Sequence, residues 1–171
     1  MASILNVDQI NNAAGTSAIT IDANGNTLMP GHVVQVVRTD WSADSTISST
    51  SFTDTGKSAT ITPSSTSSKI LIILTTGYWV SSSGFSDYLV STIYRNGTTN
   101  IGGGDYPSMM LTRLGNYDSN YTQTVTGSLY DSPATTSAVT YNYYARTTGG
   151  TTIYYSDSRM QSSITLMEIA Q

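Results

Sequence analysis

The most strongly patterned stretch of the chain is Lys69–Val80, KILIILTTGYWV, which holds the longest uninterrupted apolar run, Ile70–Leu74. Successive side chains of a strand point to opposite faces, so this run is apolar on both. Pro63 and the polar run Ser64–Ser68 oppose a helix that enters it from the N-terminal side. The pattern predicts a central β-strand; a short buried helix is the alternative, because periodicity alone does not separate the two.

A second apolar face recurs in the predicted closing strand, Ser162–Ile169, where Met167 and Ile169 lie opposite Ile164 and Leu166. A two-sheet sandwich buries only one face of each strand, so the second faces need a cover. Leaving such side chains in water forfeits about 1.5–3 kcal/mol each, which predicts association between copies. The residues expected at that interface are Ile70, Leu71, Ile72, Ile73, Leu74, Met167 and Ile169.

Shorter alternating segments follow one another at hairpin spacing through the rest of the chain. They predict roughly nine or ten strands, among them Val33–Arg38, Ala59–Thr62, Asp87–Arg95, Ser108–Leu114, Tyr121–Tyr130, Val139–Arg146 and Thr151–Tyr155. Asn96-Gly97 predicts a tight turn, and residues 41–50 read as a loop. The links leave no room for crossover helices, which predicts an all-β, antiparallel β-sandwich of jelly-roll type.

Residues 1–31 contain small residues and isolated aliphatics, too few to build a core of their own. They predict an extended N-terminal arm that needs partners, followed by a head domain over residues 32–171. Asn24-Gly25 predicts a hairpin turn between Ile19–Asp22 and Thr27–Met29, and Pro30-Gly31 marks the boundary. The alternative is an edge strand and hairpin of the main domain.

The composition argues against binding to nucleic acid or to anionic membranes. Charged residues make up 11 % of the 171 residues, and the net charge is −4. Without a basic cluster the chain lacks the phosphate-neutralising side chains that nucleic acid and anionic membranes attract. No stretch has transmembrane length, and the N-terminus lacks the pattern of a secretory signal.

No pattern of catalytic, cofactor-binding or metal-binding residues emerges. His32 is the only histidine, there is no cysteine, and the aspartates sit mainly among turn residues, where Asp commonly caps its own backbone. We therefore expect neither an enzyme nor a resident cofactor or metal.

Tyrosines near turns are the features most suggestive of binding, because their rings can stack on sugars while Asn and Asp bind hydroxyls. The alternative is that tyrosine packs across strands, as it commonly does in sheets. The candidate glycan contacts are Tyr106, Tyr117, Asp118, Asn120 and Tyr121.

Three segments resemble fibre and decoration proteins of tailed phages, especially those of cyanobacteria and other marine bacteria. They are Ala2–Ile19 (ASILNVDQINNAAGTSAI), Ile93–Thr98 (IYRNGT) and Ser162–Gln171 (SSITLMEIAQ). The resemblance implies a homotrimeric β-sandwich head carried on a virion-attaching N-terminus, in which Ile4, Leu5, Val7 and Ile10 would contact other virion proteins.

Such fibres usually carry a long shaft, whereas here Pro30-Gly31 joins the two parts almost directly. We expect a non-enzymatic virion protein, a trimeric knob that binds a host-surface glycan. The first alternative is a capsid decoration protein without a specific receptor. The second is a glycan depolymerase, which we disfavour because the chain lacks a solenoid repeat.

Overall fold

The computed structural model describes residues 7–21, 25, 27–80, 86–104, 106, 108–115, 121–155 and 160–171. Within these residues all regular structure is β, with three short strands before Pro30 and eleven after it. The first three are β1 (Gln9–Asn11), β2 (Ser17–Ile21) and β3 (Thr27–Leu28). The others are β4 (Val33–Trp41), β5 (Ser45–Ile47), β6 (Thr53–Ile61), β7 (Lys69–Val80), β8 (Ser86–Arg95), β9 (Thr99–Asn100), β10 (Met110–Gly115), β11 (Tyr121–Asp131), β12 (Val139–Thr147), β13 (Ile153–Tyr155) and β14 (Ser162–Ile169).

The head consists of two sheets, and all its strand pairs are antiparallel. One is a six-stranded sheet in which β4-β14-β7-β13-β5 are linked in order and β11 pairs with β7. The other is a five-stranded sheet of order β10-β8-β12-β6, with β9 on β8. The predicted all-β, antiparallel β-sandwich is confirmed, and β7 is its central strand, paired with β11, β13 and β14.

The core lies between the two sheets and combines aliphatic with tyrosine side chains. Its largest fully buried members are Tyr78, Tyr141, Tyr143, Ile61, Ile70, Ile72, Leu74, Leu89, Ile93, Leu114, Ile153 and Ile164. Tyr143 and Ser91 share a hydrogen bond of 3.0 Å, which satisfies a hydroxyl that would otherwise be costly to bury. Burial raises the pKa of Tyr143, so the hydroxyl remains neutral.

The burial pattern of β7 corrects the expected interface. Ile70, Ile72 and Leu74 are completely buried inside the sandwich, whereas Leu71 and Ile73 are half-buried on the opposite face. Because the core already encloses the first three, they have no surface to offer another chain. Leu71, Ile73, Met167 and Ile169 are the predicted interface residues on the outer face.

β1, β2 and β3 form a three-stranded antiparallel sheet in that order. The predicted hairpin is present, since Thr20 lies opposite Leu28 and Gly25 has a φ of 82°. Ile10 is 44 % exposed. The arm is thus a small sheet paired within itself rather than a single extended strand.

The arm joins the head beside the end of β14. Gly31 N donates to Ala170 O at 2.8 Å, and Ala170 N donates to His32 O at 3.0 Å. We call this end of the sandwich proximal. The distal end lies at the other end of β7, where Val80 pairs with Tyr121.

A buried carboxylate holds the loops at each end of the sandwich. At the proximal end Glu168 accepts hydrogen bonds from Ser64 N at 2.8 Å, Ser64 Oγ at 2.6 Å and Gln35 Nε2 at 2.6 Å. At the distal end Asp87 accepts bonds from Tyr88 N, Thr148 N, Thr148 Oγ1 and Gly149 N, all within 2.8 Å, and from Thr151 N at 3.0 Å. Both carboxylates are almost fully buried, so these donors replace the water that the charges lose on folding.

Candidate functional site

The loop that carries Tyr106 lies over the outer face of the five-stranded sheet. Asn100 Oδ1 fastens its start, accepting from Thr92 Oγ1 at 2.7 Å and from Gly102 N at 2.9 Å. Met109 N fastens its end by donating to Ser91 O at 2.9 Å. Thr92 is completely buried. Gly102 and Met109, which flank the part of the loop that carries Tyr106, are therefore hydrogen-bonded to β9 and β8.

Tyr106 lies beside an arginine that the sequence did not single out. Arg146, on the outer face of β12, places its Cζ 5.9 Å from the centroid of the Tyr106 ring and 5.1 Å from that of Phe52. Both distances fit cation–π contacts. The Tyr106 side chain is 44 % exposed, so one wall of this arginine site faces solvent.

Two more tyrosines extend the group along the same face. The rings of Tyr94 and Tyr144 stack with centroids 4.1 Å apart and planes 27° apart, and Phe52 meets Tyr94 edge-on at 6.1 Å. We call Phe52, Tyr94, Tyr106, Tyr144 and Arg146 the aromatic–arginine cluster. It offers flat apolar faces, hydroxyl groups and one permanent positive charge.

The charge of Arg146 has no anionic partner in the part of the chain that the structure describes. The ion pairs found there join Arg38 to Asp40 and Arg95 to Asp131. Arg146 is half-buried, and its described contacts are with aromatic rings. A guanidinium in this position retains N–H donors that suit a planar acceptor such as a carboxylate.

The structure places none of the other predicted glycan contacts in this cluster. Tyr117, Asp118 and Asn120 lie outside the described residues. Only the backbone of Tyr121 is described, opposite Val80 at the distal end. The predicted glycan site is therefore represented here by Tyr106 alone, joined by Arg146 and Phe52, which the sequence analysis missed.

A second candidate surface is the outer face of the six-stranded sheet. An apolar row crosses four adjacent strands, in the order Val36, Met167, Leu71 and Tyr130. Its outer members are well exposed, Val36 by 56 % and Tyr130 by 65 %. Ile73 lies two residues further along β7 on this face. The surface matches the apolar second face that the sequence predicted.

A third feature is a groove of about 590 Å³ between the edge strands β10 and β11. Its lining residues are Met110, Leu111, Thr112, Arg113, Gln123, Thr124, Val125 and Thr126. Met110 packs against Gly127 of β11, since a Cβ added at Gly127 would lie only 2.5 Å from Met110 Cγ. Arg113 places a charge on the edge strand, which opposes pairing with other strands.

No group of three or more His, Asp or Glu side chains is placed to hold a metal ion among the residues that the structure describes. They contain no helix long and apolar enough to cross a membrane. Of the predicted attachment residues, Val7 and Ile10 belong to the described arm, while Ile4 and Leu5 lie outside the described residues.

No protein-family model matches this sequence, and no curated protein gives a significant match.

Proposed function

We propose that the protein is a non-enzymatic structural component of a tailed-phage particle. In this proposal a homotrimeric knob attaches to other virion proteins through residues 1–31 and contacts a glycan on the host surface. The observation that carries the proposal is the separation of a small arm sheet with exposed apolar residues from a complete β-sandwich. The segments that resemble phage fibres fall in both parts.

The chain order of the strands supports a jelly roll. Eight strands form the sandwich if the short β5, β9 and β13 are set aside. The first, eighth, third and sixth of them lie side by side in one sheet, and the fifth, fourth, seventh and second in the other. This arrangement agrees with two Greek keys folded into a double sheet, the architecture of many capsid and lectin domains.

The outer face of the six-stranded sheet supports association of the knob. Val36, Met167, Leu71 and Tyr130 form an apolar row that a monomer would expose. Burying such a row between copies removes that cost. Closed cyclic symmetry is the usual outcome, and the choice of three copies rests on the family resemblance.

The position of the arm at one end of the sandwich supports adhesion at the other end, away from the particle. The arm joins at the proximal end, beside Ala170. The strand ends Val80, Ser86, Gly115 and Tyr121 meet at the distal end. A knob attached by its arm would present these distal segments outward.

Deletion of residues 1–31 tests the proposal that the arm attaches the protein to the particle while the head binds the host. We expect the remaining head to fold and to form the homotrimer. Antibody labelling viewed by electron microscopy should detect the full chain on purified particles but not the truncated protein. Incorporation of the truncated protein would refute attachment through the arm. Antibody found only on the capsid surface, together with no binding of the head to host cells, would favour a decoration protein.

A further inference from the structure

The aromatic–arginine cluster has the chemistry of a specific binding site. The geometry points to a site for an acidic sugar, whose ring would stack on Tyr106 while its carboxylate pairs with Arg146. This inference rests on the proposed adhesion function and names its ligand class. It selects a carboxylate-bearing saccharide over a neutral one.

The charge of Arg146 is left unpaired by the described residues. Its Cζ lies 5.1 Å from the centroid of the Phe52 ring and 5.9 Å from that of the Tyr106 ring. It forms no ion pair with any described residue. By contrast, Nη1 of Arg95 contacts both oxygens of Asp131, at 2.9 and 3.0 Å. Arg146 therefore retains N–H donors on two nitrogens that a carboxylate can bind side by side.

Hydrogen bonds restrain the backbone near both parts of the site. The Asp87 carboxylate accepts from Thr148 N and Gly149 N, directly after the end of β12 that carries Arg146. Gly102 N donates to Asn100 Oδ1, and Met109 N donates to Ser91 O. Such restraints on the backbone lower the conformational entropy that binding would cost.

The exposed surface of the cluster matches the groups of a sugar. Tyr106 presents an exposed ring. The Tyr144 hydroxyl donates to Gly97 O at 3.4 Å, so towards a ligand its oxygen serves as a hydrogen-bond acceptor. A pyranose has an apolar face of C–H groups and a rim of hydroxyls, and a uronic or sialic acid adds one carboxylate. The cluster offers a counterpart to each.

The test measures binding of the full chain to two matched pairs of saccharides by calorimetry. The pairs are tetragalacturonate with its methyl ester, and sialyllactose with lactose. We expect at least one acid to bind about 10- to 100-fold more tightly than its neutral counterpart, as suits a charge-assisted hydrogen bond. Equal affinity within both pairs, or no binding by either acid, would overturn the inference.

Variants locate the site. Arg146→Gln should abolish the preference for the acidic saccharide. Arg146→Lys should lose most of this preference, because an ammonium cannot bind a carboxylate in a bidentate way. Tyr106→Ala should weaken the binding of the acidic and the neutral saccharide alike. Arg113→Gln is the matched control, since Arg113 is an exposed arginine at the edge groove, and it should bind as the wild type does. An unchanged acid preference in Arg146→Gln, with a native circular dichroism spectrum, would refute the assignment.

Binding of the same proteins to host cells separates this inference from the adhesion proposal. Cell binding by wild type and Arg146→Gln alike would leave adhesion standing and remove the acidic-sugar site. If the protein bound the acidic saccharide selectively through Arg146 but did not bind cells, the acidic-sugar site would stand and the adhesion proposal would fall.

Discussion

Arg95 and Asp131 connect the two sheets through an ion pair. Arg95 Nη1 lies 2.9 Å from Oδ1 and 3.0 Å from Oδ2 of Asp131, and Tyr141 OH donates to the same carboxylate at 2.8 Å. Arg95 belongs to β8 and Asp131 to β11, the edge strand of the opposite sheet. The pair therefore fastens β11 across the sandwich.

The first prediction concerns this pair. Asp131→Asn should lower the free energy of unfolding by about 2–4 kcal/mol, because it leaves a partly buried guanidinium without its counter-charge. Asp40→Asn is the matched control: its partner Arg38 and Asp40 itself are both exposed, so the loss should stay below about 1 kcal/mol. Urea denaturation at one protein concentration measures both. Similar losses in the two variants would contradict the cross-sheet role.

The second prediction concerns acid stability. Burial alone would raise the pKa of Asp87, but hydrogen bonds from Thr148, Thr151 and Tyr88 outweigh it and lower the pKa to about 2. A carboxylate with a depressed pKa in the folded state stabilises the fold above its unfolded pKa of about 4, and this contribution disappears as pH falls towards 2. From pH 5 to pH 2, the wild type should lose about 2 kcal/mol more unfolding free energy than Asp87→Asn.

Thermal unfolding across that pH range provides the measurement. Asp40→Asn serves again as the control and should follow the wild-type profile. A parallel profile for Asp87→Asn would mean that the hydrogen bonds at Asp87 do not favour its charged form.

The third prediction separates the two faces of β7 by adjacent substitutions. Ile72→Ala removes a fully buried side chain and should cost about 2–5 kcal/mol of unfolding free energy. Ile73→Ala alters the outer face, so it should leave the fold intact and shift the proposed oligomer towards smaller species. Denaturation and light scattering after gel filtration measure the two effects. Dissociation by Ile72→Ala without loss of stability would reverse the assignment.

The fourth prediction concerns the turn at Asn96. Asn96 has a φ of 51°, and its Oδ1 accepts a hydrogen bond from Thr140 N at 2.9 Å. Asn96→Ala should therefore destabilise the head by about 1–2 kcal/mol through backbone strain and a lost acceptor. Asn12→Ala removes a side-chain acceptor of backbone N–H groups from a turn in the arm, and it should leave the melting temperature of the head unchanged. Equal melting temperatures for wild type and Asn96→Ala would contradict this prediction.

Alternating polarity predicted most of the sandwich, and it failed where the backbone departs from regular pleating. β6 was predicted only at its C-terminal end, as Ala59–Thr62, because Gly56, with a φ of 72°, lies where the register against β12 shifts. Such a bulge interrupts the period of two. β5, Ser45–Ile47, was missed because its order comes from pairing with β13 rather than from an apolar pattern.

The sequence could not decide which face of Ile70–Leu74 lies inside. Both faces are aliphatic, so burial follows from how β7 packs against the five-stranded sheet. The position of Arg146 was equally unpredictable, because its neighbour Tyr106 reaches it through a loop folded over β8. The strict alternation of β12, Tyr144 and Arg146 against Tyr143 and Ala145, did carry one usable signal. It placed the arginine on the same face as a tyrosine.

The two buried carboxylates at the ends of the sandwich have a consequence for ionic strength. Asp87 and Glu168 are held by hydroxyl, amide and backbone donors rather than by cations, as far as the described coordinates extend. Such short contacts, shielded from solvent, are screened far less by mobile ions than surface charge pairs are. The stabilisation that Asp87 and Glu168 give the head should therefore change little with the concentration of sodium chloride.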